Sequence, residues 1–171
     1  AQIAALQVWN EPNLPEFFAG QSAADYVQLL RATYPAVKAV RPDLTGVSAA
    51  PANLNAAGYE EFFDAGGRGF YDALGAHPYP VVGDLPPDEC AYRVDSGCNL
   101  DWLVRYKARR GDPDSPIWVT EFGYSVHPDD ATLPAWQAGV SEQEQARYTA
   151  GMLAYFASIS QVAAAFVYRD R

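Results

Sequence analysis

Short apolar runs alternate along the chain with longer stretches in which apolar residues recur every three or four positions. Ala4 to Trp9 is a run of the first kind, closed by the loop residues Asn10-Glu11-Pro12-Asn13, and reads as a buried strand. A helix follows from Ala23, capped by Ser22, with Tyr26, Leu29, Leu30, Val37 and Val40 at helical spacing and Arg41-Pro42-Asp43 as its stop. Pro35 is expected to kink or split that helix, because it lacks an N–H and crowds the preceding turn. Leu44 to Ala49 is the second strand, Tyr59 to Ala65 a short helix stopped by Gly66-Gly67, and Ala73 to His77 a third strand running into Pro78-Tyr79-Pro80.

After a Pro/Gly/Asp-rich loop from Val81 to Asn99, Leu100 to Arg110 reads as a helix with Trp102, Leu103 and Tyr106 on one face and Gly111 as its stop. Ile117 to Thr120 is the fourth strand, delivering Glu121-Phe122-Gly123-Tyr124-Ser125 into another long loop. Ser141 and Glu144 form a capping box for a helix through about Phe156, and Val162 to Tyr168 is the fifth strand. Five strands alternating with four helical segments predict parallel β/α units, in either a doubly wound sheet or part of a (β/α)8 barrel. The uncharged run from Tyr148 to Tyr168 is long enough on paper to span a bilayer, but Ser158-Ile159-Ser160-Gln161 breaks it into a helical half and a strand half.

Composition narrows the functional classes. Twelve Lys and Arg against 21 Asp and Glu leave a formal charge of −9, and the pI is near 4.5. Such a chain repels phosphate backbones and anionic headgroups, so neither nucleic acid nor membrane is an expected partner. The chain opens on a strand with no signal-peptide pattern before it, as expected of a piece of something longer.

The chemistry gathers where strands end. In a parallel barrel the C-terminal strand ends build the active site, and the polar segments after strands one, three and four all lie there. Glu11 in WNEPN and Glu121 in WVTEFG stand at two such ends, each framed by aromatic residues that can stack on sugar faces. Either alone is an ordinary solvated loop glutamate. As a pair they offer what glycoside hydrolysis needs, one acid for the leaving oxygen and one carboxylate to attack or to activate water.

Asn10-Glu11 closing the first strand, His77-Pro78-Tyr79 closing the third and Glu121 closing the fourth resemble the retaining glycoside hydrolases of clan A, in particular the β-xylosidase-like and cellulase-like branches. The resemblance covers essentially the whole chain, residues 1–171, as one partial barrel domain whose strands correspond to strands four to eight. It implies Glu11 as acid/base, Glu121 as nucleophile, Asn10 as a hydrogen-bonding partner of the sugar hydroxyl beside the reacting carbon, and Tyr79 as the group holding the nucleophile. His77 is expected beside them, no cofactor is implied, and the partner is an oligosaccharide or polysaccharide.

Two departures follow from the same likeness. The aromatic platform that the clan places at the end of strand eight, often Trp, falls here to Tyr168, within Phe166-Val167-Tyr168-Arg169-Asp170-Arg171. Strands one to three, with the Arg that supports the nucleophile, are missing, since a barrel takes about 250 residues against 171 here. The expected missing partner is thus the N-terminal β/α units of the same barrel. The rival class is a non-catalytic carbohydrate-binding remnant.

Trp9, Trp118, Trp136 and Tyr124 are candidates for either core or sugar stacking, Trp118 for core because it lies within a strand and Trp136 for ligand because it lies in a polar loop. His77 and His127 with Glu11, Glu121, Asp129 or Asp130 show no short metal-ligand spacing, so ordinary histidines are expected and no metal. Ser125 lacks a nucleophile-elbow motif, and Gly66-Gly67-Arg68-Gly69 lacks a phosphate-loop ending. Cys90 and Cys98 share one loop, which suggests a disulfide contributing roughly 2.5 kcal/mol by loop closure. That pair in an acidic chain points to an extracellular or periplasmic location.

Overall fold

In the computed structural model, residues 3–93, 95–128, 130 and 132–168 are described. Five parallel strands, β1 (Ala5–Val8), β2 (Thr45–Ser48), β3 (Leu74–Ala76), β4 (Ile117–Phe122) and β5 (Val162–Val167), alternate with helices α1 (Ala23–Val40), α2 (Ala56–Asp64), α3 (Pro87–Cys90), α4 (Leu100–Arg109) and α5 (Glu142–Ser158). β1 pairs with β2, with Ala5 opposite Thr45, and β3 pairs with β4 and β4 with β5. The two sheets meet through isolated parallel bridges, Val47 to Ala73 and Ala52 to His77. The row does not close on itself: among the described residues β1 and β5 each have a neighbour on one side only.

The β2–β3 junction carries a side chain in place of a regular backbone ladder. Ser48 N donates to Ala73 O at 3.1 Å, but Gly75 N donates to Ser48 Oγ at 3.0 Å. Position 75 accepts only glycine, because a Cβ there would stand 2.3 Å from Ser48 O.

The helices bury one face each against the strands. Tyr26, Val27 and Leu30 of α1, Tyr59, Phe62 and Phe63 of α2, Leu100 and Leu103 of α4, and Met152, Tyr155 and Phe156 of α5 join Val8, Leu74, Ala76, Ile117, Val119 and Phe122 in one core. Two of the buried tyrosines also tie strand ends. Tyr26 Oη donates to Val8 O at 3.1 Å and accepts from Ala49 N at 2.6 Å, and Tyr59 Oη donates to Gly75 O at 2.9 Å. Each hydroxyl thereby satisfies backbone groups that would otherwise be buried without partners.

Several sequence expectations change. Pro35 does not split α1, which runs unbroken with Tyr26, Val27 and Leu30 buried before the proline and Lys38 held after it. α2 starts at Ala56, three positions before the expected Tyr59, because Asn55 caps it by accepting from Gly58 N at 2.7 Å. The buried seam of α4 is Leu100, Leu103 and Lys107, with Trp102 and Tyr106 stacked on each other at its margin, 5.0 Å between ring centroids. Lys107 is fully buried and donates to Asp112 O and Pro113 O. The Val81–Asn99 loop contains α3, started by Pro87, and Cys90 and Cys98 are bonded there with Cα atoms 5.4 Å apart.

β1 and β5 are less buried than two-sided strands. Leu6, Phe166 and Val167 are exposed because nothing described covers the outer edges. The Tyr148–Tyr168 run divides into α5 and β5 as expected, and among the described residues no helix is long and apolar enough to cross a membrane.

Asp72 fastens α1 to the sheet. It accepts from Gly46 N at 2.7 Å, Tyr34 Oη at 2.7 Å and Lys38 Nζ at 2.9 Å. Burial pulls its carboxyl upward, but those three donors outweigh it and hold the group below the usual value of 3.8. A depressed carboxylate contributes stability that is present above its unfolded value and is lost as pH falls through the folded one. Asp72→Ala is therefore expected to cost about 1–3 kcal/mol at neutral pH, and the difference from wild type in urea melts should shrink as pH drops below 3.8.

Candidate active site

Three strand ends converge. After β1 the backbone turns sharply, with Trp9 at φ 72° and Glu11 at φ 38°, both in the left-handed region that non-glycine residues seldom occupy. Strain of this kind persists where neighbours over-determine the conformation. Here the ring N–H of Trp9 donates to Phe17 O, Leu14 N donates to Glu11 O at 3.0 Å, and Asn13 Oδ1 accepts from Ala52 N at 2.9 Å. The bend carries the Glu11 side chain inward, where it is only 12% exposed.

Glu121 is aimed by a bulge. Along β4, Ile117 and Val119 face the helices, and strict alternation would send Glu121 the same way. The pairing with β5 slips between Val119 and Phe122, Val119 facing Ala165 and Phe122 facing Val167, so β4 carries one extra residue there. That insertion turns Phe122 into the core, 4.9 Å from the Phe156 ring, and leaves Glu121 on the opposite face. Glu121 is also within β4, which extends two residues past the expected end at Thr120.

His77 follows β3 and is fully buried. Its Nδ1 lies 2.9 Å from Glu11 Oε1 and its Nε2 3.8 Å from Glu121 Oε1. Tyr79 Oη donates to Glu121 Oε2 at 3.2 Å. One donor atom each from Glu11, His77 and Glu121 lies within 4.8 Å of the others, so the carboxylates approach that closely. His77 Nε2 has no hydrogen-bond partner among the described residues. Burial, then the charge of Glu121 and its hydrogen bond, raise the Tyr79 hydroxyl far above its ordinary value of 10.0, so it remains a donor throughout the neutral range.

The other expected residues divide. Tyr168 joins the group, its ring edge-on to Tyr79 with 6.5 Å between centroids. Asn10 is half-buried beside Glu11 and has no described side-chain hydrogen bond. Trp136 is 60% exposed in a 3-10 turn, Ala135–Gln137, with no described contact to the glutamates. Trp118 is only partly buried and packs on Phe166 instead of entering the core, whereas Tyr124 is buried against Tyr148. His127 is partly buried with its Nδ1 2.9 Å from Pro128 O, and Asp129 lies outside the described residues. Asn13, which ties the Glu11 loop to the segment after β2, is the functional support that sequence reasoning missed, although it stands within the same WNEPN motif.

No protein-family model matches the chain, and no curated protein does. Solved structures do match. A GH128 exo-beta-1,3-glucanase from Cryptococcus neoformans superposes with TM-score 0.61 at 17% identity, over 98% of this chain and 56% of that one. A glucosidase from Croceicoccus marinus gives TM-score 0.70 at 18% identity, over 96% and 32%, and a b-glucuronidase from Ruminococcus gnavus gives 0.56 at 17%, over 97% and 25%. The likeness is one of fold. It is a glycosidase-like fold, and the chain spans little more than half the length of the first of these structures and less of the others.

The Tyr79–Glu121 contact is testable through the phenol. Replacing Glu121 by Gln removes the charge that adds to burial, so Tyr79 should ionise at lower pH than in wild type while staying above 10.0. Ultraviolet difference titration of E121Q against wild type, with Tyr79→Phe to assign the signal, reads this directly, and an unmoved alkaline titration would rule the contact out.

Proposed function

We propose that the chain is the acid/base- and nucleophile-bearing portion of a glycoside hydrolase that acts with retention, of the clan A type, its five strands corresponding to strands four to eight of a (β/α)8 barrel. The observation that carries this is that one oxygen of Glu11 and one of Glu121 lie within 4.8 Å of each other, close enough for the carboxyl groups to form a retaining pair. Retaining pairs stand about 5 to 5.5 Å apart, whereas inverting pairs need about 6.5 to 9.5 Å to admit a water. The structural neighbours are glycosidases, which supports the same chemistry without favouring the xylosidase-like or cellulase-like branch.

In the first step Glu11 gives its proton to the glycosidic oxygen as the bond to the anomeric carbon breaks, and a Glu121 oxygen forms the new bond to that carbon. Glu11, now a carboxylate, takes a proton from water, which attacks the anomeric carbon and releases Glu121. Tyr79 holds Oε2 of Glu121, and Oε1, 3.8 Å from His77 Nε2, is the oxygen assigned to attack. His77 fixes Glu11 through Nδ1. Asn10 is assigned the hydroxyl beside the reacting carbon, Tyr168 a sugar face, and Trp136 an outer sugar on its exposed loop. The Cys90–Cys98 disulfide supports an extracellular or periplasmic setting.

The open edges of β1 and β5 favour a second statement. Full activity needs further β/α units that cover Leu6, Phe166 and Val167 and complete the cleft. Without them the side chains lack the support that holds reacting groups to about half an ångström. The isolated chain is then closer to a carbohydrate-binding remnant than to an efficient enzyme.

A panel of aryl xylosides, arabinofuranosides, glucosides and galactosides tests both parts. Glu121→Gln should lower turnover by at least about 10³-fold, the scale of losing a catalytic group. Glu11→Gln should harm substrates with poor leaving groups far more than dinitrophenyl glycosides, whose departure needs no proton. A 2-deoxy-2-fluoro glycoside should label the peptide that carries Glu121. Sugar binding with neither turnover nor label would leave only the binding function, and full turnover by E121Q would overturn the assignment of the nucleophile.

A further inference from the structure

We propose that the chain carries a second, non-catalytic saccharide site, a cavity of about 250 Å³ between the loops after β2 and β3 that takes one neutral sugar ring. Asn53 and Asn55 line it from the first loop, Val81, Asp95 and Asn99 from the second, and Trp102 from the first turn of α4. None of Glu11, His77, Tyr79 and Glu121 lines it.

Two of its amides are already oriented. Asn55 Oδ1 accepts from Gly58 N at 2.7 Å and Asn99 Oδ1 from Trp102 N at 3.0 Å, as the caps of α2 and α4. Each cap takes up the amide oxygen and leaves the NH2 as a donor. Asn53 offers both a donor and an acceptor, and the Asp95 carboxylate accepts only. Sugar hydroxyls each donate and accept, so they match this mixed set. Trp102 supplies an apolar surface: Tyr106 stacks on its ring with 5.0 Å between centroids, and the indole also borders the cavity, where the C–H face of a pyranose can lie against it.

The same lining excludes other ligands. Among the described residues no Lys or Arg borders the cavity, so a phosphate or a carboxylate meets no counter-charge there. Asp95 is the one carboxylate in the lining, and without a second to pair with it a sugar is held there and not cleaved. The volume of about 250 Å³ falls under the roughly 300 Å³ at which sites for drug-sized ligands begin, which limits the occupant to about one ring.

The walls are preformed. Asn53 at φ 56° and Leu54 at φ 46° hold left-handed backbone, kept in place by the burial of Leu54 and by Asn55 N donating to Ala52 O at 3.1 Å. Opposite them stands Gly97, where a Cβ would lie 2.4 Å from Tyr79 O and 3.4 Å from Asn53 O, and its neighbour Cys98 is bonded to Cys90. The cavity therefore adjoins the backbone that carries Tyr79. Resting on the proposed function, it holds a further unit of the saccharide beside the cleft and raises the local concentration of substrate there.

The test is titration of the 171-residue chain with glucose, xylose, galactose and arabinose, read by NMR at the indole N–H signals of its four tryptophans. Trp102→Phe assigns the signal of interest. At least one sugar is expected to shift it saturably, with a Kd on the order of millimolar for a single ring, and glycerol is expected not to. Asn53→Gly, which suits the left-handed backbone, or Asp95→Ala, at an exposed side chain, should weaken that binding at least about threefold, the scale of a lost hydrogen bond. Glu121→Gln should leave it unchanged. No saturable Trp102 shift with any of the four sugars, an equal response to glycerol, unweakened binding in both variants, or loss of the response in Glu121→Gln would overturn the inference. Glycoside cleavage without a Trp102 response would sink this site alone, and a Trp102 response in a chain that cleaves no glycoside would leave it standing while hydrolysis fell.

Discussion

The structure turns on a buried imidazole between two carboxylates. His77 sits with no solvent exposure, Nδ1 against Glu11 and Nε2 toward Glu121, and each of those glutamates comes from a different strand end. A polar ring can be buried at that depth only where it has partners, since an unmet hydrogen-bonding atom in low dielectric costs about 1–3 kcal/mol. The Nδ1 contact meets half of that requirement. The Nε2 atom is left without a hydrogen-bond partner among the described residues, 3.8 Å from Glu121 Oε1.

Everything around the imidazole serves to present three strand ends to one another. Parallel pairing directs all five strands the same way, so their C-terminal ends lie on one side. α1 and α2 pin those ends from behind, with Tyr26 bonded to the ends of β1 and β2 and Tyr59 to β3. The β4 bulge then selects which face Glu121 occupies. Without that slip in the pairing, strict alternation would exchange the environments of Glu121 and Phe122, placing a carboxylate in the core and a phenyl ring in the cleft.

The same parallel arrangement leaves two liabilities. A parallel strand is stable when covered on both faces and both edges, yet β1 and β5 each lack an outer neighbour among the described residues, and Phe166 and Val167 stand exposed. The site is thus well organised at its floor, from Glu11 across His77 to Glu121, and open at its sides. Trp136 and Tyr168 are both exposed, at 60% and 54%, and Tyr168 lies edge-on to Tyr79.

The sequence by itself determined the order and type of nearly every element, because periodicity, caps and stops are local: Ser22 and Ser141 cap α1 and α5 where the pattern places them. It also identified Glu11, His77, Tyr79 and Glu121, since each follows or ends a recognisable apolar run within a distinctive short motif. Local signals were weakest where distant partners intervene. Pro35 is carried within an anchored helix, Asn55 starts α2 early, Lys107 is buried where an aromatic face was expected, and Trp118 meets Phe166 outside the core. Only the tertiary structure decided that the two ring nitrogens of His77 would face carboxylates from separate strand ends, Nδ1 bonded to Glu11 and Nε2 3.8 Å from Glu121 without a hydrogen bond. It alone set the bulge that aims Glu121, because a one-residue slip is a property of two paired strands and is written in neither strand alone.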